Sequence, residues 1–404
     1  MKILHTADWH LGKMLHKQSL AIEMQLFLSW LVDFIKAENI DLLLVSGDVF
    51  DVANPSSKDR EIYFKFLGQL HQMGIRSIFT GGNHDSIGVL NAPAELLEYM
   101  GITIVGGATD PIVNELIEIK NSKGNLQAVV AAVPFLRDKD LRKLDKNTAT
   151  DRREAIREGM MLHYKILADH CEKYSGKVPI IAMGHLYAKG AVLSESERDI
   201  GNQSAISASI FSDIFDYVAL GHIHRPQIVA KNDCIRYSGS PIALSFSEKA
   251  DNKVVMLIET NGAKVVKVKS VPVPKQRMLS RISGDLDSVA LKLEDYKSET
   301  ELPDFIELLI KAPVFSHSLI MDIESLILGY QDQEDFVILK HSFEFAENSK
   351  KVNDFFAEGI QIEEMKPMDI FNTKLEVEEN INDGKKQQLK ELFKEILIDI
   401  QQTD

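Results

Sequence analysis

Apolar residues in the first hundred positions alternate between short continuous runs and longer stretches with a helical repeat. Three short runs, Lys2–Ala7, Asp41–Ser46 and Ser77–Phe79, have the length and composition of buried strands. The stretches between them carry apolar residues every three or four positions, which predicts two amphipathic helices (Leu20, Met24, Phe27, Leu28, Leu31, Phe34 and Ile35 in the first; Ile62, Phe66 and Leu70 in the second). The order strand, helix, strand, helix, strand predicts a parallel sheet with helices outside.

The middle of the chain adds antiparallel strands. Ile112–Ile119 and Leu126–Val133 flank a Lys-Gly-Asn turn, so they predict a hairpin and make the sheet mixed. One helix follows, with Ile156, Met160, His163 and Leu167 on one face. The remaining strand candidates are Val178–Met183, Tyr217–Leu220, Cys234–Tyr237, Val254–Ile258 and Val265–Val271. The pattern therefore predicts an α/β fold with mixed sheets.

Pro272 and Pro274 interrupt this pattern, and a smaller α+β region follows. The last segment contains a predicted helix, Lys385–Ile400, whose apolar face consists of Leu389, Phe393, Ile396 and Leu397. We predict three parts: a large domain over residues 1–275, a small α+β domain over 276–348 and a helical C-terminal segment over 349–404.

The composition is that of a globular protein, with 45% hydrophobic and 26% charged residues among 404. No apolar run reaches the roughly 18 residues that a membrane span needs, and the opening MKILHTADWH does not resemble a secretory signal. The two cysteines, Cys171 and Cys234, lack the spacing of a metal site or disulfide framework. We expect a cytoplasmic protein with no membrane contact.

The net charge of −14 at first argues against a nucleic-acid partner, because phosphate contacts require Lys and Arg. However, residues 281–404 hold 13 Lys and Arg against 28 Asp and Glu, whereas residues 1–280 hold 33 against 32. The acidity lies in the C-terminal third. The first part can thus present a basic face to DNA, and the acidic end is better suited to a protein partner.

Five short polar clusters each begin where a predicted strand ends. They are Asp8-Trp9-His10, Gly47-Asp48-Val49-Phe50-Asp51, Gly82-Asn83-His84-Asp85, Gly184-His185 and Gly221-His222-Ile223-His224. The carboxyl ends of strands in an α/β sheet meet at one edge, so these side chains are expected to converge. Carboxylate, amide and imidazole donors without thiolate suit Mn²⁺, Fe or Zn²⁺. Seven candidate ligands are too many for one ion, which predicts two ions bridged by Asp48.

Each cluster also has an ordinary explanation when it is considered alone. Asp8 and His10 could form a cap or turn, Asn83 and Asp85 could shape a loop, and His222 with His224 could occupy one face of a strand. The joint arrangement, with every cluster at a strand end, favours the metal centre.

The motif series D-x-H, G-D-x-x-D, G-N-H-D, G-H and G-H-x-H resembles that of the calcineurin-like metallophosphoesterase superfamily. The resemblance implies a four-layer sandwich of mixed sheets flanked by helices, with a small α+β capping domain and C-terminal helices. It also implies one ion held by Asp8, His10 and His224, a second held by Asn83, His185 and His222, and Asp48 between them.

Three residues beside the ligands also receive roles. The resemblance implies that His84 stabilises the phosphate in the transition state or protonates the leaving oxygen. Asp85 could orient the His84 imidazole or could be only a turn residue. Asp51 occupies a position where relatives often have a functional histidine, so we expect it to support a ligand instead of contacting phosphate.

Three further stretches narrow the resemblance to bacterial DNA nuclease subunits that act with a coiled-coil ATPase: ILHTADWHLGK at residues 3–13, GSPIALSFSE at Gly239–Glu248 and MKPMDIF at Met365–Phe371. In that group the C-terminal helices bind the ATPase, which implicates Met365, Pro367, Phe371, Leu389, Phe393, Ile396 and Leu397. An apolar helix face can equally belong to an ordinary core. The resemblance further implies a homodimer within a heterotetramer, formed through helices near residues 58–73 and 91–100.

The leading hypothesis is a nuclease with two divalent ions, most suitably Mn²⁺, although Fe, Zn²⁺ or Mg²⁺ would also fit. It would act on duplex ends as a 3′–5′ exonuclease and on single strands or hairpins as an endonuclease, in DNA repair, replication and recombination, and would be nucleoid-associated when bound to DNA. One alternative is a phosphodiesterase of cyclic nucleotides or dinucleotides, which has little need for the last 130 residues. Another is a non-catalytic scaffold for the ATPase, which the intact ligand set disfavours.

Overall fold

The computed structural model describes residues 1–142, 152–192, 205–313, 317–331, 333–345, 371, 375 and 384–393. The chain divides into two compact units, Met1–Leu309 with Ile323–Ser342, and Ile310–Asp322 with Phe343–Asp404. The three-part division at residues 275 and 348 stays a prediction.

The described strands and helices are as follows in chain order. The strands are β1 (Lys2–Thr6), β2 (Met14–Leu15), β3 (Gln18–Ser19), β4 (Leu42–Ser46), β5 (Arg76–Thr80), β6 (Ile102–Val105), β7 (Leu116–Lys120), β8 (Leu126–Ala132), β9 (Ile180–His185), β10 (Tyr217–Gly221), β11 (Gln227–Val229), β12 (Asn232–Tyr237), β13 (Val254–Thr260), β14 (Val265–Pro272), β15 (Leu279–Gly284), β16 (Asp304–Ala312) and β17 (Phe336–Phe345). The helices are α1 (Ala21–Glu38), α2 (Ser57–Gln72), α3 (Ile87–Asn91), α4 (Ala94–Tyr99), α5 (Asp138–Arg142), α6 (Arg152–Cys171), α7 (Leu286–Glu294) and α8 (His317–Gly329). Residues 384–393 are also helical.

Two six-stranded mixed sheets form the body of the first unit. The first has the order β14-β13-β1-β4-β5-β6, in which β1, β4, β5 and β6 run parallel and β13 is antiparallel to β1. The second has the order β11-β12-β10-β9-β8-β7, with β8, β9, β10 and β12 parallel. Every residue of β4 is buried, as expected of a central parallel strand covered on both faces.

The core lies in three layers of side chains. Alternate residues of the two sheets, such as Leu42, Leu44, Val130 and Ile181, pack between them. Helices α1 and α2 cover the outer face of the first sheet, and α6 covers that of the second. The arrangement is helix, sheet, sheet, helix, so the predicted four-layer α/β fold is confirmed.

Local sequence explains where α2 begins. The Ser56 hydroxyl accepts from the Asp59 backbone N–H, and the Asp59 carboxylate accepts from the Ser56 backbone N–H, which forms a capping box. Because of this cap, the helix begins only after the polar loop that follows β4. Residues 47–51 therefore belong to the loop at the edge of the sheet and not to the helix.

The first arm of the predicted hairpin is shorter than expected. Strand β7 begins at Leu116, and residues 112–115 form a 3₁₀ turn instead of strand. The turn buries the Glu115 carboxylate, which accepts from the Thr109 N–H and lies 2.7 Å from His163 Nε2. A buried carboxylate requires such partners, and the turn leaves Glu115 in contact with both.

Strands β15, β16 and β17 form a separate three-stranded sheet. Phe305 and Leu279 from this sheet pack with Leu15 and Leu244. The Arg277 guanidinium lies over the Phe305 ring, 3.8 Å from its centroid, and Arg277 Nε donates to Glu23 Oε1 at 2.5 Å. Within the first unit these contacts tie the beginning of the small α+β region to helix α1.

Part of the predicted partner-binding set lies in the second unit. Phe371, Leu389 and Phe393 are described, and Phe371 stacks on Phe393 with ring centroids 4.0 Å apart. Met365, Pro367, Ile396 and Leu397 lie outside the described residues. Among the helices that the structure describes, none is long and apolar enough to span a bilayer.

Candidate metal centre

All five polar clusters meet at one edge shared by the two sheets. Asp8, Asp48 and Asn83 follow β1, β4 and β5, His185 ends β9, and His222 follows β10. The sheets are joined at this edge, since the Ser46 hydroxyl donates to the Ala219 carbonyl at 3.0 Å. The predicted convergence at the carboxyl ends of the strands is present in the structure.

One group of ligand atoms surrounds a point between β5 and the second sheet. Asn83 Oδ1 lies 3.0 Å from His185 Nε2 and 2.9 Å from His222 Nδ1. His185 Nε2 is also 3.2 Å from Asp48 Oδ2. Four electron-pair donors therefore converge, and these are the residues predicted for the second ion together with the predicted bridge.

A second group lies on the other side of Asp48. Ligand atoms of Asp8, His10 and His224 all fall within 4.8 Å of one another. His10 Nε2 is 3.5 Å from the same Asp48 Oδ2 that faces His185. Asp48 thus reaches both groups, as a bridging carboxylate would.

Two buried atoms in this second group test whether a cation fits. Asp8 Oδ2 and His10 Nε2 are buried and have no hydrogen-bond partner. Leaving such groups unsatisfied costs about 1–3 kcal/mol each, and a coordinated cation removes that cost. The donors are oxygen and imidazole nitrogen without thiolate, so the residues fit hard or borderline divalent ions.

In three of these histidines, the ring nitrogen Nδ1 lies within hydrogen-bond distance of an oxygen acceptor. His10 Nδ1 lies 3.1 Å from Asp51 Oδ1, His185 Nδ1 lies 2.9 Å from the Ser46 carbonyl oxygen, and His224 Nδ1 lies 3.3 Å from Glu248 Oε1. Each acceptor favours the tautomer with the proton on Nδ1, which leaves the Nε2 electron pair for an ion.

Of these acceptors, Asp51 was expected from the sequence to support a ligand, whereas Glu248 was missed. Asp51 Oδ1 contacts both His10 and Lys13, whose Nζ is 3.1 Å away. Glu248 closes the stretch Gly239–Glu248, which the sequence marks only as a resemblance. The resemblance of that stretch to the family is a signal in the sequence, but it does not indicate that Glu248 contacts His224.

The backbone at four of the candidate ligands is strained. Asp8, His10, Asp48 and His222 have φ values of 54°, 48°, 48° and 99°, in the left-handed region that non-glycine residues rarely adopt. Such conformations cost on the order of 1–3 kcal/mol each and persist at functional sites where surrounding contacts enforce them. Gly82 is required for a related reason, since a Cβ there would collide with the Asp48 carboxylate.

The predicted pairing of Asp85 with His84 is wrong. The buried Asp85 carboxylate accepts from the backbone N–H groups of Val49 at 3.1 Å, Phe50 at 2.9 Å and Gly82 at 2.8 Å. His84 Nδ1 instead lies 2.8 Å from the Asp51 carbonyl oxygen. Both carboxylate oxygens are taken by the backbone, so Asp85 fastens two ligand loops together and the alternative role in loop geometry is the one observed.

Asp85→Ala is expected to lower the free energy of unfolding by about 3 kcal/mol, because three buried backbone N–H groups lose their acceptor at about 1 kcal/mol or more each. Thermal unfolding without added metal measures the loss as a drop in Tm. The matched control is Asp33→Asn on the exposed face of α1, which should leave Tm unchanged. An equal Tm for Asp85→Ala and the wild type would contradict this role.

Burial and the neighbouring charges set the protonation of the centre before metal is bound. Burial favours the neutral form of His185, but the Asp48 and Asp8 carboxylates outweigh it and raise its pKa to about 9. Burial lowers the pKa of His10 to about 4 and that of His222 to about 3. Burial also raises the pKa of the Asp8 carboxyl to about 7. Near neutral pH a proton therefore resides on His185, beside Asp48, and Asp8 is about half protonated.

Mn²⁺ binding is expected to release between about one and two protons per chain at pH 7. The ions require neutral His185 and ionised Asp8, whose protons are bound below pKa values of about 9 and about 7, so affinity should rise from pH 7 to 9 by about tenfold per pH unit. Anaerobic titration calorimetry in two buffers with different ionisation enthalpies counts the protons. Heats that do not depend on the buffer, together with constant affinity from pH 7 to 9, would contradict the expectation.

Sequence comparisons agree with the geometry. A model of the family described as calcineurin-like phosphoesterase matches residues 1–226. The SbcD component of nuclease SbcCD from Escherichia coli (strain K12) is 32% identical over 405 residues, which cover 97% of this chain and 97% of that protein. The chain belongs to the calcineurin-like phosphoesterases, within the SbcD family.

Two other SbcD family members show similar identity over shorter alignments. The SbcD component of nuclease SbcCD from Rhodobacter capsulatus is 33% identical over 293 residues, covering 70% of this chain and 71% of that protein. The Bacillus subtilis protein of the same name is 34% identical over 265 residues, covering 64% and 66%. The predicted family is confirmed, and metallophosphoesterases use divalent ions, which agrees with the two ligand groups.

Proposed function

We propose that this chain is the nuclease subunit of a complex with an SbcC-type coiled-coil ATPase and hydrolyses DNA phosphodiesters with two divalent ions. The observation that carries the proposal is the pair of candidate ligand groups on either side of Asp48. In one of these groups the buried atoms Asp8 Oδ2 and His10 Nε2 have no hydrogen-bond partner. Mn²⁺ is the most suitable ion for this mixture of oxygen and imidazole donors.

The ions, when bound, would neutralise phosphate charge and lower the pKa of a bound water. The protein's own residues do the rest. Asp48 holds the two ligand groups together, and His84 has its Nδ1 fixed by the Asp51 carbonyl, which orients the ring beside His10 with centroids 4.8 Å apart. In this proposal His84 stabilises the phosphate or protonates the leaving oxygen, and its fixed ring supports either role.

DNA as the substrate is supported by charge around the centre and by the names of the relatives. The Lys13 ammonium lies 3.1 Å from Asp51, and the Arg137 guanidinium donates to the Asp85 carbonyl oxygen at 3.0 Å. The Arg137 guanidinium makes no ion pair with a carboxylate among the described residues, so its charge is available to a phosphate. The acidic C-terminal third would instead face the ATPase, through the apolar residues around Phe371 and Phe393.

The assembly belongs to the same proposal. Leu96 and Tyr99 on α4 and Phe64 on α2 expose apolar surface, with Tyr99 90% exposed. These side chains lie in the two segments that are expected to form a homodimer, near residues 58–73 and 91–100. Two ATPase chains bound to this homodimer would make a heterotetramer. The complex would work in the cytoplasm at the nucleoid, as a 3′–5′ exonuclease on duplex ends and an endonuclease on single strands or hairpins.

The decisive experiment is purification of the chain with its ATPase partner, followed by digestion of end-labelled linear duplex with Mn²⁺ and ATP. The proposal predicts shortening of the duplex, loss of activity with a chelator and recovery on adding Mn²⁺. Much faster turnover of cyclic nucleotides than of DNA would favour a small-molecule phosphodiesterase. Binding of the ATPase without any diester hydrolysis would favour a scaffold.

A further inference from the structure

The segment Gly239–Glu248 lies against His224 both at its backbone and, through Glu248, at its ring. Gly239 adopts φ +73°, and a Cβ there would collide with the ring of Pro226 and the His224 carbonyl oxygen. That carbonyl accepts from the Ser240 N–H at 3.1 Å and from Lys253 Nζ at 3.0 Å. The segment therefore holds the backbone of His224 from one side.

The same segment contacts the ring of His224. Glu248 Oε1 lies 3.3 Å from His224 Nδ1. The carboxylate is buried, and its Oε2 accepts from Lys253 Nζ at 2.6 Å and from the Leu244 N–H at 3.2 Å. Ser245 Oγ donates to Oε1 at 3.1 Å. These partners fix Glu248 in place independently of His224.

A buried ion pair is a poor choice for stability alone. Removing two charges from water costs several kcal/mol per ion, and replacing such pairs with apolar residues is often neutral or stabilising. The position of the Glu248 and Lys253 pair against a ligand suggests another reason for it. A carboxylate that accepts the Nδ1 proton of a ligating histidine fixes its ring orientation and increases the basicity of Nε2.

We propose that Glu248, held by Lys253, is a positioning residue that orients His224 toward one of the two ions. The inference rests on the proposed two-metal function. It adds a directional consequence, because His224 groups with Asp8 and His10, whereas among the described residues Glu248 makes no hydrogen bond or ion pair with the other group. In that other group, His185 Nδ1 lies 2.9 Å from the Ser46 carbonyl oxygen and 3.9 Å from Asp8 Oδ1. Loss of Glu248 should therefore weaken the ion held by Asp8, His10 and His224 and spare the other.

The test is Mn²⁺ binding to the full chain carrying Glu248→Asp. This change keeps the charge and the partner Lys253 but shortens the side chain by one methylene, so that the carboxylate withdraws from His224. Titration calorimetry, with electron paramagnetic resonance of the bound Mn²⁺, should show two ions in the wild type. In the variant one should bind about 10–100-fold more weakly and the other with unchanged affinity.

Two further variants keep the test decisive. If Glu248→Asp does not fold, Glu248→Leu with Lys253→Met replaces the whole ion pair by apolar side chains, and the same selective loss is expected. Glu115→Gln is the matched control, because it alters an equally buried carboxylate beside His163, away from the centre, and should leave both ions unchanged.

The outcomes separate the inference from the function on which it rests. Wild-type affinity for both ions in the Glu248 variants overturns the positioning role, and so does equal weakening of both ions. A wild-type chain that binds fewer than two Mn²⁺ ions overturns the two-metal function itself, whatever the variants show.

Discussion

Asp48→Asn is expected to remove tight binding of both divalent ions and to lower DNA cleavage by at least about a thousandfold. Two unit charges near 4 Å apart interact by about 4 kcal/mol at an effective dielectric of 20, which corresponds to roughly three powers of ten in affinity. Because Asp48 Oδ2 faces both ligand groups, one substitution removes that interaction twice.

The fold should survive this change. Asp48 Oδ1 accepts from the His84 N–H at 2.9 Å, and an asparagine oxygen can keep that hydrogen bond. Its amide N–H₂ then replaces Oδ2 and directs two donors toward the cations, so that the loss is electrostatic and not structural. Calorimetry with Mn²⁺ and digestion of linear duplex by the complex measure the two effects.

A matched control separates loss of charge from loss of the bridge. Asp216 is a partly buried carboxylate that accepts from the Ile180 N–H at 2.8 Å near the start of β9, away from the ligands. Asp216→Asn should retain two ions and wild-type cleavage. Two ions bound at wild-type affinity by Asp48→Asn would rule out the bridge.

The sequence predicts that the candidate ligands converge because each is adjacent to the end of an apolar strand, whereas their division between two ions comes from the family resemblance. The strands that precede these residues end at the same edge, which brings the candidate ligands together; they are β1, β4, β5, β9 and β10. Predicting this convergence requires the order and direction of the strands but not the positions of side chains. The same patterns of apolar residues predict an α/β fold with mixed sheets, and the family resemblance implies its four layers.

The pairing that is predicted wrongly and the contact that is not predicted both depend on the paths of loops that fold back over the site. Asp85 follows His84 in sequence, which suggested a pair, but three N–H groups from residues 49, 50 and 82 are closer to its oxygens. Glu248 reaches His224 only because residues 239–248 fold back over the ligand. Neither contact leaves a periodic trace in the sequence, since both depend on the path of the backbone between elements.

His84→Ala is expected to keep both ions and to lower DNA cleavage by about 10²–10⁴-fold, the range typical of a lost general acid. His84 adjoins His10 and Asp48 closely enough that it could be taken for a ligand. However, Asp48 already has imidazole neighbours from both ligand groups, in His10 and His185, without it. Two Mn²⁺ ions bound at wild-type affinity by His84→Ala would place it outside the ligand set, and loss of one ion would place it inside.

A second substrate separates the two roles open to His84. A p-nitrophenyl phosphodiester has a leaving group that needs no proton, whereas the deoxyribose oxygen of DNA does. If His84 protonates the leaving oxygen, His84→Ala should impair DNA cleavage by at least about tenfold more than cleavage of the activated diester. If it stabilises the phosphate, both substrates should suffer equally. The Asp51 carbonyl favours the proton on Nδ1 and so leaves an unprotonated Nε2 in the neutral ring, which means that proton donation requires the imidazolium form. A larger loss on DNA than on the activated diester in His84→Ala would identify His84 as the acid, acting from that form.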